Sequence, residues 1–224
     1  MTGNLHLFSF PLNAIIGLVI FYAGWRLRHF IKDTHISIAL LVLLAAVLTE
    51  GLLPSRIPFT GSWPFVTILT LFLIVWGARL FRSFSLMGAG LWLALLAGML
   101  GSADAYKTSL TLPAHQYVQA PLPFDIRLDR FTIDRYATGE PLEYVAVLSL
   151  KEAMDRKVEE TSARLRVNHP VRYKGYQIFL LDYEETPHKE ITSCTVLVTR
   201  QPWNILVLLG ILLMMGGAVK NFFV

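Results

Sequence analysis

Five apolar stretches, each close to the length that crosses a bilayer, limit what this chain can fold into. They run from about Phe10 to Trp25, Ile36 to Leu53, Trp63 to Leu80, Leu86 to Gly101 and Trp203 to Val219. A spanning helix needs roughly 20 apolar residues to cover about 30 Å of hydrocarbon. A lone span must also satisfy its backbone hydrogen bonds internally, which selects helix. Four such segments in succession argue against buried core helices of a soluble protein. The fourth is rich in glycine (Gly88, Gly90, Gly98, Gly101), and the first three of these would allow close packing against another helix. Composition agrees, with 54% hydrophobic and 16% charged residues and a mean hydropathy of +0.51. A soluble domain carries about a quarter charged residues.

The apolar excess falls in the first hundred residues and the last twenty. The expected organisation is four transmembrane helices over residues 1–102, a β-rich extracytoplasmic domain over 103–201 and a C-terminal transmembrane helix over 202–224. The fold class is therefore an α-helical transmembrane bundle of about five spans plus a β-rich domain. Met1 to Asn13 carries no Lys or Arg, and the basic residues follow the first apolar run. That order differs from a cleaved signal peptide and predicts a retained span with its N-terminus outside.

Lys and Arg collect in short cytoplasmic loops. Arg26, Arg28 and Lys32 follow the first stretch, Arg79 and Arg82 the third, and Lys220 the last, whereas Arg56 stands alone between the second and third. An inner-membrane topology with the N-terminus and residues 103–201 outside and the C-terminus cytoplasmic puts every dense cluster on one side. Trp25, Trp63, Trp203, Tyr22 and Tyr106 sit at span ends, as interfacial aromatics do. The pI of about 9.3 does not indicate nucleic-acid binding. Residues 103–201 hold thirteen Lys and Arg against fourteen Asp and Glu, without the basic excess a phosphate-backbone binder carries.

The single cysteine, Cys194, rules out an internal disulfide and any CxxC pair. It lies in Ile191–Thr199, which reads as a strand, and thiol–disulfide exchange usually needs a second thiol nearby. Neither GxSxG, HExxH nor paired carboxylates at metal spacing occurs, so no catalytic or metal site is expected. Glu50, at the outer end of the second stretch, is read as reaching interfacial water.

Strand signatures recur in the soluble segment: Phe124–Leu128, then Phe131–Asp134 after a short interruption, Tyr144–Leu150, Arg164–Val167, Tyr176–Tyr183 and Thr195–Arg200. Turn chemistry falls between them at Ala137–Pro141, Asn168–Pro170 and Lys174–Gly175. This spacing predicts an antiparallel sandwich or open barrel. Lys151 to Glu160 is highly charged and reads as a hairpin tip or an exposed turn. In Val167–Tyr176, Pro170 drives its predecessor extended and Gly175 permits a positive φ, making a sharply bent link between strands.

The run Arg164-Leu-Arg-Val-Asn-His-Pro-Val-Arg-Tyr-Lys-Gly-Tyr-Gln-Ile-Phe-Leu-Leu-Asp-Tyr183 resembles the hallmark of ResB-like proteins of system II cytochrome c biogenesis. Leu122–Asp134 resembles the strand that opens that family's outer domain, and Thr199–Gly210 the approach to its last helix. The resemblance covers roughly residues 36 to 224. It implies a subunit that, with a ResC/CcsA-type membrane partner, assists haem export and haem attachment to apocytochrome c. Two departures stand out. The family usually has three helices before the outer domain, so the first span looks like an addition. It also tends to carry a histidine in the helix preceding that domain, and Leu86–Ala94 here has none, so no intramembrane histidine ligand to haem b is expected.

Imidazole ligates haem iron. His29 and His35 lie in the inner loop, where with Arg26 and Arg28 they would meet transient haem. His6, His115 and His188 fall in outer segments. Asn168, His169, Pro170, Gly175 and Tyr176 form the candidate partner-binding turn. The alternative function is a structural anchor or assembly subunit of another membrane complex without haem binding.

Overall fold

The structure, a computed structural model, describes residues 9–52, 59, 62–138, 140–152, 160–185 and 191–223. His6, Arg56, Gly139, His188 and residues 153–159 of the charged tip lie outside the described residues, as does the side chain of Glu50. The chain separates into two compact units. One is Met1–Ala105 with Gln201–Val224, and the other is Tyr106–Arg200.

The first unit is helical: α1 (Leu12–Leu27), α2 (Asp33–Leu52), α3 (Trp63–Arg82), α4 (Leu86–Gly101) and α5 (Asn204–Phe223). Each apolar stretch folds as a helix within a few residues of its expected ends. Pro64 sits in the first turn of α3, where a missing N–H costs nothing, and Ser85 caps α4 by accepting from Gly88 N–H. Among the described residues, three helical segments, Trp63–Arg82, Leu86–Asp104 and Asn204–Phe223, are long and apolar enough to cross a membrane. Leu12–Leu27 is apolar but shorter, as is the fully described part of α2, Asp33–Thr49. Sixteen residues of α1 rise only about 24 Å, and α2 opens on charged and polar residues. Of the five expected spans, three meet this standard among the described residues.

Packing in this unit depends on absent side chains. A Cβ at Gly90 would stand 2.3 Å from the Met214 nitrogen, and one at Gly217 would stand 2.3 Å from the Met87 nitrogen. The α4 and α5 backbones thus touch along an antiparallel pair. Gly98 has nothing within 4 Å of such a Cβ, and Gly88 meets only side chains, so of the three glycines expected to serve close packing only Gly90 lies against another backbone. Between α3 and α4, Trp92 donates its indole N–H to the Leu73 carbonyl at 2.8 Å, and Trp76 donates to Gly88 at 3.1 Å. A ring N–H among apolar side chains needs such a partner.

The second unit is two four-stranded antiparallel sheets: β1 (Tyr106–Pro113), β8 (Ile191–Arg200), β7 (Tyr176–Glu185) and β6 (Val171–Tyr173) in one, and β2 (Tyr117–Val118), β3 (Phe124–Arg135), β4 (Pro141–Glu152) and β5 (Thr161–Arg166) in the other. Their inward residues alternate, Phe124, Ile126 and Leu128 meeting Ala146, Leu148, Leu150, Ile178, Val196 and Val198 in one core. The strand read as two pieces around Asp129 is one, with a bulge between Leu128 and Arg130. The extra residue moves the inward set on, so Phe131 rejoins the core. Tyr106 pairs with Arg200, so the chain enters and leaves this unit at adjacent positions.

Candidate functional site

The chain passes between the two sheets at two corners, and each carries a residue at positive φ. At the first, Pro113 ends β1 and His115 takes φ +60° before β2. His115 N–H donates to the Leu128 carbonyl at 2.7 Å. At the second, Asn168 takes φ +63° between β5 and β6, and His169 N–H donates back to Arg166 at 3.1 Å. Asn tolerates this left-handed region better than most residues. The next turn, Lys174–Gly175, has φ of +48° and +80°. Two positive values in a two-residue loop are the hairpin geometry that matches strand twist.

These corners decide what the predicted partner-binding residues present. Asn168, His169 and Gly175 are exposed, and Pro170 is half-buried. Tyr176 is 8% exposed and belongs to the core, edge-on to Tyr106 and Phe124 with the Arg200 guanidinium over its ring. It shapes the corner from within. Lys174 is ion-paired with Glu152.

His29 and His35 are exposed at one end of the helical unit. The His35 Nδ1 accepts the Lys32 N–H at 2.9 Å, and Arg28 lies over the Trp25 ring. Arg82 binds Asp33 at 2.6 Å and the Ile31 carbonyl, joining the α1–α2 loop to the end of α3. Arg26, Arg28, Lys32, Arg79 and Arg82 therefore share that end. At the other end, Asp104 Oδ2 accepts from Asn13 Nδ2 and from Trp203 Nε1, both at 2.6 Å, and Oδ1 accepts the Phe10 N–H at 2.9 Å. Asn13 is fully buried and also donates to the Leu100 carbonyl.

Among the described residues, the densest polar network stands on the outer face of the β3–β4 sheet. The bulge aims Asp129 across to Ser149, which donates at 2.5 Å, while Arg127 Nε donates at 2.6 Å. Arg127 also reaches Glu160 at 3.2 Å and lies over the Tyr117 ring, and Tyr117 donates to Glu160 at 2.6 Å. Burial works against the Asp129 charge, but the hydrogen bonds from Ser149 and Arg127 outweigh it and hold the carboxyl below its usual range. Burial, then the bond to Glu160, pushes the Tyr117 phenol up to about 12. Beside this network a cleft of about 290 Å³ is lined by Ala114, His115, Leu128, Asp129, Arg130, Phe131 and Ile191.

Sequence reading misses Asp129, Ser149, Tyr117, Asn13 and Asp104. The one local signal is the broken alternation at Asp129–Arg130. Among the described residues, no group of His, Cys, Asp or Glu is placed to hold a metal ion.

A sequence model described as the ResB-like family matches residues 34–197. The chain is 25% identical over 107 residues to "Cytochrome c biogenesis protein CcsB" of Thermosynechococcus vestitus, covering 42% of this chain and 24% of that protein. It is 26% identical over 106 residues to "Cytochrome c biogenesis protein CCS1, chloroplastic" of Arabidopsis thaliana, covering 41% and 19%. It thus spans about a quarter or less of the length of these relatives. A solved "Cytochrome c Heme Lyase CcmF" aligns with a TM-score of 0.38 at 14% identity, over 81% of this chain and 33% of that one.

Proposed function

The chain belongs to the ResB-like family, and from that premise we propose that it is a membrane subunit of cytochrome c maturation. In this reading it assists haem export and haem attachment to apocytochrome c beside a ResC/CcsA-type membrane partner. The family match carries the proposal, because it runs from the start of α2 into β8 and so takes in helices and sheets together. The names of the two relatives point the same way.

We further propose that all five helices span the inner membrane, with the N-terminus and residues 103–201 outside and the C-terminus cytoplasmic. The shared end of Arg26, Arg28, Lys32, Arg79 and Arg82 supports this, since such clusters stay cytoplasmic. Lys220 lies in the last turn of α5, whose C-terminal half packs beside the start of α4. Large apolar side chains are exposed along α5, including Ile205, Leu208, Leu212, Met215 and Val219, as a lipid- or partner-facing helix requires.

Haem is cargo in this account, and the helices α3, α4 and α5 contain no histidine to hold its iron. His29 and His35 meet it at the cytoplasmic end, with Arg26 and Arg28 toward its carboxylates. Asn168, His169 and Gly175 present the outer turn to a partner. The lack of histidine in these helices also favours a second reading, an assembly subunit that never touches haem. Isolation of the chain in mild detergent, with partner identities and visible spectrum recorded together, separates the two. A CcsA-like partner with a Soret band supports the maturation complex; the same partner without haem in any preparation supports the assembly role.

A further inference from the structure

We propose that the outer edge of β3 takes up an extended polypeptide as an added strand, with one guest side chain seated in the His115–Asp129 cleft. β3 pairs with β4 along nearly its whole length. On its other side β2 covers only Ile126 and Arg127, and the β1–β2 corner reaches only Leu128. From Arg130 to Asp134, no described strand lies on that side. These five residues are about 17 Å of edge that no described strand pairs.

The bulge gives that edge its register. The Leu128 carbonyl accepts from His115, so Leu128 turns its backbone groups away from β4, and Ile126, two residues before it, does the same. Asp129 is the inserted residue, so beyond it Phe131 and Ile133 take the same orientation. Their N–H and C=O groups form a short ladder, the chemistry that recognises an extended backbone of any sequence. The cleft lies at the head of this ladder and is lined by His115, Asp129, Arg130 and Phe131. A guest strand on the ladder would run a side chain into it.

The identity of the guest rests on the maturation reading; the edge itself does not. A protein that handles apocytochrome c before haem attachment meets an unfolded chain, whose backbone groups are free to pair. The test is amide hydrogen exchange on the full chain in detergent micelles, with and without a synthetic peptide carrying a CxxCH haem-attachment motif in which both cysteines are serine. Saturating peptide slows the amides of Phe131 and Ile133 about tenfold or more and leaves those of β5 unchanged. Ile133→Pro removes one outward N–H without breaking a bond to β4, and it weakens peptide binding about tenfold. If that variant does not fold, exchange on the unaltered chain decides alone. Bound peptide with no slowing at Phe131 and Ile133 overturns the proposal. So does slowing already present without peptide in a species of twice the mass, which assigns the edge to a second copy. A chain that restores haem attachment in a deletion strain yet shows no edge protection keeps the maturation reading and loses this one. Edge protection by an unrelated extended peptide, with no restored haem attachment, does the reverse.

Discussion

Trp203 donates its indole N–H to Asp104 at 2.6 Å across 99 positions of sequence, joining the residues between which the β unit is inserted. The same carboxylate oxygen takes the Asn13 amide. One acceptor therefore ties the starts of α1 and α5 to the end of α4. Asp104→Ala leaves two buried or half-buried N–H donors without this acceptor, at about 1–3 kcal/mol for each group so stranded. Asp104→Asn keeps an acceptor and loses less. Thermal unfolding of the full chain in detergent checks the order: wild type, then Asn, then Ala. Equal melting temperatures for all three would sink the account of this junction.

The α4–α5 contact makes an opposite pair of glycine substitutions. Gly90→Ala drives a methyl into the α5 backbone, and overpacking of this kind costs about 1–3 kcal/mol. Gly98→Ala enters open space and gains from helix propensity, by up to about 1 kcal/mol. The two melting temperatures should move in opposite directions.

Burial pushes the Cys194 thiol up to about 11, from an ordinary value of 9.0. The folded chain therefore keeps a neutral, covered thiol at pH 8–9. A maleimide should label it slowly until denaturant is added, and rapidly afterwards. The raised pKa also stabilises the fold fully only below pH 9. That contribution falls as pH rises toward 11, because the unfolded thiol ionises first.

The Asp129 network is sensitive at both ends of the pH scale. The Asp129 carboxyl is held below its ordinary 3.8, so its contribution is present above that pH and is lost as pH falls through the folded value. The Tyr117 phenol is raised from 10.0 to about 12, so its contribution is present below pH 10 and falls as pH rises to 12. Melting temperature against pH should show both limbs. Asp129→Asn should weaken chiefly the acid limb, and Tyr117→Phe should reduce the alkaline limb, which Cys194 shares, and leave the acid limb in place.

The helices are readable in the sequence because their apolar runs are long and end at Pro, Ser or basic residues. The Lys174–Gly175 hairpin and the Asn168 corner are readable because positive φ selects those residue types. The Asp129 bulge is readable only as an interruption, since a broken alternation looks the same whether a strand ends or bends. β1 goes unseen: in Tyr106–Pro113 the inward positions include Thr108, so the strand carries little apolar alternation to mark it. The bonds of Asp104 cannot be read locally at all, since Asn13 is 91 positions away. The burial of Tyr176 has the same cause, because its neighbours Tyr106 and Phe124 come from distant strands.

The central claim is that this chain serves the attachment of haem to apocytochrome c. The most direct measurement is a haem stain of denatured membrane proteins from a strain lacking the chain, beside the same strain complemented with it. The account predicts that covalently haem-stained c-type cytochromes disappear on deletion and return on complementation, while the apocytochromes are still made. Unchanged haem staining in the deletion strain would contradict it.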